Sequence, residues 1–143
     1  MKWQMNKMKK LILISALLFS VNGWADEDVF GLDCNYDEYT EKKDEWTHNY
    51  FVLDIKNETV SVWDTFDLVF EQNELDVAPT SVSWGVGTRL YYIGRSSLNY
   101  RYHNSNPVNS YNSDWQHCKM VSEEKIYELA DQHRKEVTKS NKF

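Results

Sequence analysis

Apolar side chains recur at alternate positions in runs between residues 49 and 121, and after residue 122 the spacing lengthens to that of a helix. This change of period limits the fold more than any other feature, because a chain so patterned makes half-buried strands first and an amphipathic helix last. Phe51, Leu53 and Ile55 alternate, Lys56-Asn57-Glu58 supply a turn, and Val60 and Val62 resume the same face, so 49–64 reads as a hairpin. Phe66, Leu68 and Phe70 keep the period over 65–70, and 71–79 is a polar connection that ends the strand. Val82, Trp84 and Val86 alternate within 81–86, interrupted by Gly85 and Gly87. The stretch 89–95 is apolar on both faces through Leu90, Tyr91, Tyr92 and Ile93, and after a turn at 94–97 Leu98, Tyr100 and Tyr102 alternate once more. A loop rich in Asn and Ser follows over 104–113, and a short strand at 115–121 carries Cys118.

Ser122 then fits a helix N-cap, with Glu123 and Glu124 in the first turn, where the helix dipole favours acids. Ile126, Leu129, Ala130, His133 and Val137 share one face at helical spacing, and Lys135, Lys139 and Lys142 lie toward the end that favours cations. A strand that is apolar on both faces needs cover on both, and this helix supplies one side. The expected fold is mainly β: an antiparallel meander of about six strands, curled into a small barrel or half-barrel, with a C-terminal α-helix against it.

Ahead of the patterned region stands a leader. Lys2, Lys7, Lys9 and Lys10 form a positive start, 11–21 is an unbroken apolar or small stretch too short to span a bilayer, and Gly23 and Ala25 precede a cut before Asp26. The organisation that follows is a signal peptide over 1–25 and one β-rich domain over 26–143, periplasmic or secreted, with no stable membrane insertion after cleavage. Cys34 lies in Gly31-Leu32-Asp33-Cys34, too far downstream for a lipid-anchoring cysteine. The acidic lead-in 26–45 is expected to begin frayed and to be tied down at Cys34.

Two cysteines 84 positions apart, Cys34 and Cys118, form neither a redox pair nor a zinc site and most simply bridge one another in an oxidising compartment. Such a closure removes about 4 to 4.5 kcal/mol of unfolded-state entropy, a large part of a small domain's stability.

Without the four leader lysines the chain has 12 basic against 22 acidic residues, a net charge of −10 over 118 residues. That balance argues against nucleic acid and anionic lipid and suits a cationic protein as partner. The charge is unevenly spread. Residues 26–76 hold 16 acids against three lysines, whereas 77–113 contain no Asp or Glu and carry Arg89, Arg95 and Arg101. One account pairs these arginines with acids of the first half, beside tyrosines of the same sheet. The other gathers Trp84, Arg89, Tyr91, Arg95, Tyr100 and Arg101, with Tyr92 and Tyr102, into a recognition surface, since Trp, Tyr and Arg dominate binding hot spots. His48, His103, His117 and His133 share no spacing that makes a metal site on one element, and Asp26-Glu27-Asp28 lacks the alternating oxygen ligands of a calcium loop. Neither a nucleophile elbow, a zinc-protease helix nor a phosphate loop occurs, so no catalytic residue, metal or cofactor is assigned.

The run Tyr92-Ile93-Gly94-Arg95-Ser96-Ser97-Leu98, after a Trp-bearing strand and before a late cysteine, resembles a hairpin of small uncharacterised secreted bacterial β-domain proteins. Their pattern is aromatic-x-Ile-Asp-Arg-x-Thr-Gly; here Gly94 stands in place of the acid and Leu98 where Gly is common. The early and late cysteines around a β-barrel are also similar to those of periplasmic inhibitors of C-type lysozymes, which act on a cationic enzyme. The Ser-Gly-x-x-Tyr loop of that family is missing, Gly87 being followed by Tyr91, and no inhibitory residue transfers. Sequence and resemblance together imply a non-catalytic binding domain of the inhibitor or immunity type. A small barrel that binds an apolar molecule is the alternative, and an enzyme of unrecognised type the third.

Overall fold

A computed structural model describes residues 28–140, so the leader expected at 1–25 lies outside the described residues. Among the described residues ten strands precede one helix: β1 (Val29–Asp37), β2 (Tyr50–Asp54), β3 (Thr59–Asp64), β4 (Val69–Glu74), β5 (Asp76–Val77), β6 (Ser81–Val86), β7 (Arg89–Gly94), β8 (Asn99–Asn104), β9 (Tyr111–Asn112), β10 (Gln116–Val121) and α1 (Glu123–Ser140). Every pairing is antiparallel, in the order β4-β3-β2-β1-β10-β8-β7-β6-β5, with β9 beside β8. β4 approaches β6, which nearly closes the sheet into a barrel. The expected mainly-β fold with a C-terminal helix is therefore observed, with more strands than six.

The additional central strand is β1. The lead-in is not a frayed segment from Val29 onward: Phe30, Leu32 and Cys34 alternate into the barrel and are fully buried. Asp33 and Asn35 on the opposite face are buried as well. Asn35 Nδ2 donates to Asp33 Oδ1 at 2.5 Å, and its Oδ1 accepts from Thr47 Oγ1 at 2.9 Å and the Asn49 N–H at 2.8 Å. This fastens the β1–β2 loop across the strand and satisfies polar groups that would otherwise be costly to bury. Cys34 bonds to Cys118 between neighbouring β1 and β10.

Two faces of the sheet build two cores. Inside the barrel lie Phe30, Leu32, Phe51, Leu53, Val60, Val82, Trp84, Ile93 and Tyr100, with register pairs Leu32↔Phe51, Leu53↔Val60 and Val82↔Ile93 bringing facing side chains together. Outside, Tyr50, Val52 and Trp63 pack with Ile126 and Ala130 of α1. The helix begins as expected, Ser122 Oγ accepting the Lys125 N–H at 3.1 Å. Its buried side chains are Ile126, Ala130 and His133, while Leu129 is half-buried at the edge.

The turns share a device. Asp37, Asp54 and Asp64 each accept, through Oδ1, backbone N–H groups two or three residues on. The turns they open close at a residue of positive φ: Glu41 (56°), Glu58 (52°) and Leu68 (57°). At 65–68 this turn interrupts the expected continuous strand. Phe66 is thereby placed at its tip, 95 % exposed, rather than in a sheet face.

Candidate functional site

Strand alternation sorts the aromatic and basic residues of 77–113. On β7, Arg89, Tyr91 and Ile93 face the barrel interior; Leu90 and Tyr92 face out. Cross-strand register sets Trp84 opposite Tyr91, and Tyr91 opposite Tyr102. The Trp84 and Tyr91 rings stack 5.3 Å apart at 4°, Tyr91 and Tyr100 lie 6.4 Å apart at 13°, and Phe51 meets Trp84 edge-on at 5.1 Å. Arg89 places its Cζ 5.3 Å from the centre of the Tyr102 ring. At this end of the barrel the side chains leave a cavity of about 420 Å³. Trp84, Arg89, Tyr91, Tyr100 and Tyr102 form one wall, and Asp64, Thr65, Phe66, Glu71 and Asn73 of the β3–β4 hairpin form the other.

The polar groups of the first wall are unequally satisfied. Trp84 is 2 % exposed, and its Nε1–H finds no acceptor among the described residues. An orphaned buried donor of this kind costs about 1–3 kcal/mol unless something accepts its proton. Arg89 has its side-chain hydrogen bond with the Tyr91 hydroxyl, which raises the guanidinium above its ordinary value. Burial pushes the Tyr100 phenol well above its ordinary value, so that it stays a neutral hydroxyl. Across the cavity the carboxylates of Asp64, Asp67 and Glu71 converge to within 4.8 Å, and Asp64 Oδ1 is occupied by the N–H groups of Phe66 and Asp67. Those two N–H groups hold the Asp64 carboxyl below its usual range. The mouth therefore has a donor-rich aromatic side and an acidic side.

Of the residues expected at a recognition surface, Trp84, Arg89, Tyr91 and Tyr100 are brought together here with Tyr102. Arg101 is not: it pairs with Tyr92 in register on the outer face, where its Cζ sits 4.4 Å from the Trp115 ring centre. Arg95 lies in the β7–β8 turn at the far end of the barrel, its Nη1 donating to the Ala78 carbonyl at 3.0 Å. The single surface of the sequence reading is thus divided among an inner wall, an outer face and a distal turn.

A second cluster has no counterpart in the sequence reading. Trp63 Nε1 donates to His133 Nδ1 at 2.9 Å, and His133 stacks on His48 with ring centres 3.6 Å apart at 18°. His48 Nδ1 is 3.2 Å from the Tyr50 hydroxyl. His133 was recognisable as part of the helix's buried stripe, but nothing in the spacing of the histidines connects it with His48. His48 and Trp63 also line the mouth.

No family model matches the chain, and no curated protein or solved structure matches it.

Proposed function

We propose that this protein is a non-catalytic binding domain acting outside the cytoplasm, and that it takes a small organic anion with a flat apolar body in the barrel mouth. The observation that carries this reading is the exposed guanidinium of Arg89 standing beside the Trp84, Tyr91 and Tyr102 rings in one cavity wall. A guanidinium is a cation that only donates, so the group it recognises is an acceptor, and a charged one such as a carboxylate is favoured. The aromatic lining suits the apolar body. Asp64 and Glu71 opposite would repel an anionic head, which orients it toward Arg89. The leader and the Cys34–Cys118 bridge support a periplasmic or secreted setting.

Calorimetric titration with indole-3-acetate and benzoate, against the neutral benzyl alcohol, tests this reading. The carboxylates should bind at least about tenfold more tightly, the size expected for one charge-assisted contact. Equal binding of the alcohol, or no binding of either carboxylate, overturns it.

A cationic protein partner, as an inhibitor or immunity-type domain would have, is favoured by a different observation. Phe66 is 95 % exposed on a turn whose neighbours Asp64, Asp67 and Glu71 are all acidic. An apolar tip ringed by acids suits a basic surface with an apolar pocket. A basic partner whose binding is lost in Phe66→Ala but survives Arg89→Ala would separate this reading from the first.

A further inference from the structure

We propose that His133 and His48 form an acid-opened latch between α1 and the barrel. The observed contacts exist only in one protonation state of the pair. Trp63 Nε1–H can only donate to His133 Nδ1, at 2.9 Å, if that nitrogen carries no proton; His133 is therefore neutral, with its proton on Nε2. Protonation at Nδ1 would set two N–H groups against each other at that distance and abolish the bond. His133 is 8 % exposed, so water cannot readily take over as the new partner. The stacked His48 ring, 3.6 Å away, makes the penalty mutual, because two imidazolium rings in that arrangement repel.

The surroundings set the pH at which this happens. Burial lowers both imidazoles from their ordinary value of 6.5, and the charge of His133 lowers His48 further. Glu136 on α1 draws both upward; from the β1–β2 loop Lys43 pushes His48 down and Asp44 draws it up. Glu45 of that loop lines the small cavity beside the pair, the neutral Tyr50 hydroxyl faces His48 from β2, and Arg134 of α1 lies over the Trp63 ring at 5.2 Å. The unfolded chain takes up protons near 6.5, while the folded chain resists until a lower pH. The stabilisation is therefore complete above 6.5 and is lost as pH falls through that value toward the lowered native ones. What opens is the contact between the second half of α1 and β3; β1 and β10 remain joined by the disulfide. Because Trp63 and His48 also line the mouth, opening alters that wall, a consequence that rests on the binding role proposed above.

Amide hydrogen exchange on the oxidised mature protein between pH 7.5 and 4.5, corrected for intrinsic rates, tests the latch. Protection over 130–140 should fall by about tenfold as the pair is protonated, the loss expected for one buried hydrogen bond, while β1 and β10 stay protected. In His133→Asn the side-chain oxygen can still accept from Trp63 but cannot titrate, and the helix should remain protected across the range. In Glu136→Gln the midpoint should move to lower pH. A wild-type helix with pH-independent protection, a His133→Asn protein that opens like the wild type, or simultaneous loss of protection in β1 would overturn the latch. Failure of every small anion to bind the mouth leaves these measurements as decisive as before.

Discussion

Gly31 of β1 lies directly beneath Ile126 of α1, so close that a Cβ at residue 31 would collide with Ile126 Cγ1 and stand 2.9 Å from the Ser122 carbonyl oxygen. This contact sets how near the helix approaches the sheet and explains a glycine in the middle of a buried strand, where it is otherwise disfavoured. Gly31→Ala should lower stability by about 1–3 kcal/mol through overpacking. Ile126→Ala should cost about 2–5 kcal/mol by leaving a cavity. The two together should cost clearly less than their sum, since the smaller side chain at 126 makes room for the new methyl. Additive losses in denaturant melts would show that the two residues do not share the space.

The bridge between Cys34 and Cys118 joins neighbouring strands in the middle of the sheet while closing 84 positions of sequence. The protein should be exported and cut before Asp26, and by intact mass should show no alkylatable thiol before reduction and two after it. Reduction should lower unfolding stability by about 4 kcal/mol. Thiols that react without reductant, or a mass that retains the leader, would contradict this.

Glu58 closes the β2–β3 turn at a φ of 52°, a conformation that costs a residue with a Cβ about 1–2 kcal/mol. The side chain is exposed, so Glu58→Gly removes little besides the strain. We expect the melting temperature to rise; a fall would mean that the added freedom of the unfolded chain outweighs the relief.

The cavity-wall residues Trp84, Arg89, Tyr91, Tyr100 and Tyr102 were named from the sequence, but together with Tyr92, Arg95 and Arg101, which lie elsewhere. The alternation Arg89, Tyr91, Ile93 against Leu90, Tyr92 already separates an inner wall from an outer face, and Trp84, Tyr100 and Tyr102 follow the same rule. What period cannot supply is which distant strands become neighbours. β10 comes to lie between β1 and β8, and the wall opposite Trp84 comes from the β3–β4 hairpin. β1 was hidden because Gly31, Asp33 and Asn35 occupy the face that packs under α1 and the β1–β2 loop, so a doubly buried strand reads as a polar one. Phe66 looked like a strand residue because Phe66, Leu68 and Phe70 alternate, but the Asp64 carboxylate captures two backbone N–H groups and makes a turn there instead. The pairing of His48 with His133 joins a loop to a helix and leaves no mark in local sequence.

Arg89 and Arg95 give opposite expectations. Arg95 supports the Ala78 carbonyl at the end of the barrel away from the mouth, so Arg95→Ala should lower the melting temperature and leave anion binding unchanged in the folded fraction. Arg89 lies exposed at the mouth, and Arg89→Ala should weaken benzoate binding by about tenfold with little effect on stability. Calorimetry and thermal melts on the same two variants compare them directly, and the reverse pattern would assign the binding group to the wrong end of the barrel.

Four tryptophans follow residue 25, Trp46, Trp63, Trp84 and Trp115, so an indole-labelled sample of 26–143 gives one N–H resonance for each. Titration with indole-3-acetate, followed by nuclear magnetic resonance, observes the Trp84 ring of the cavity wall directly. The Trp84 signal should shift and saturate, because its ring stacks on Tyr91 in the wall that the ligand's aromatic body meets, while that of Trp46, 93 % exposed in the β1–β2 loop, stays in place. Saturable binding that leaves the Trp84 resonance unmoved, or that shifts the outer-face Trp115 in its stead, would contradict the claim that the barrel mouth is the binding site.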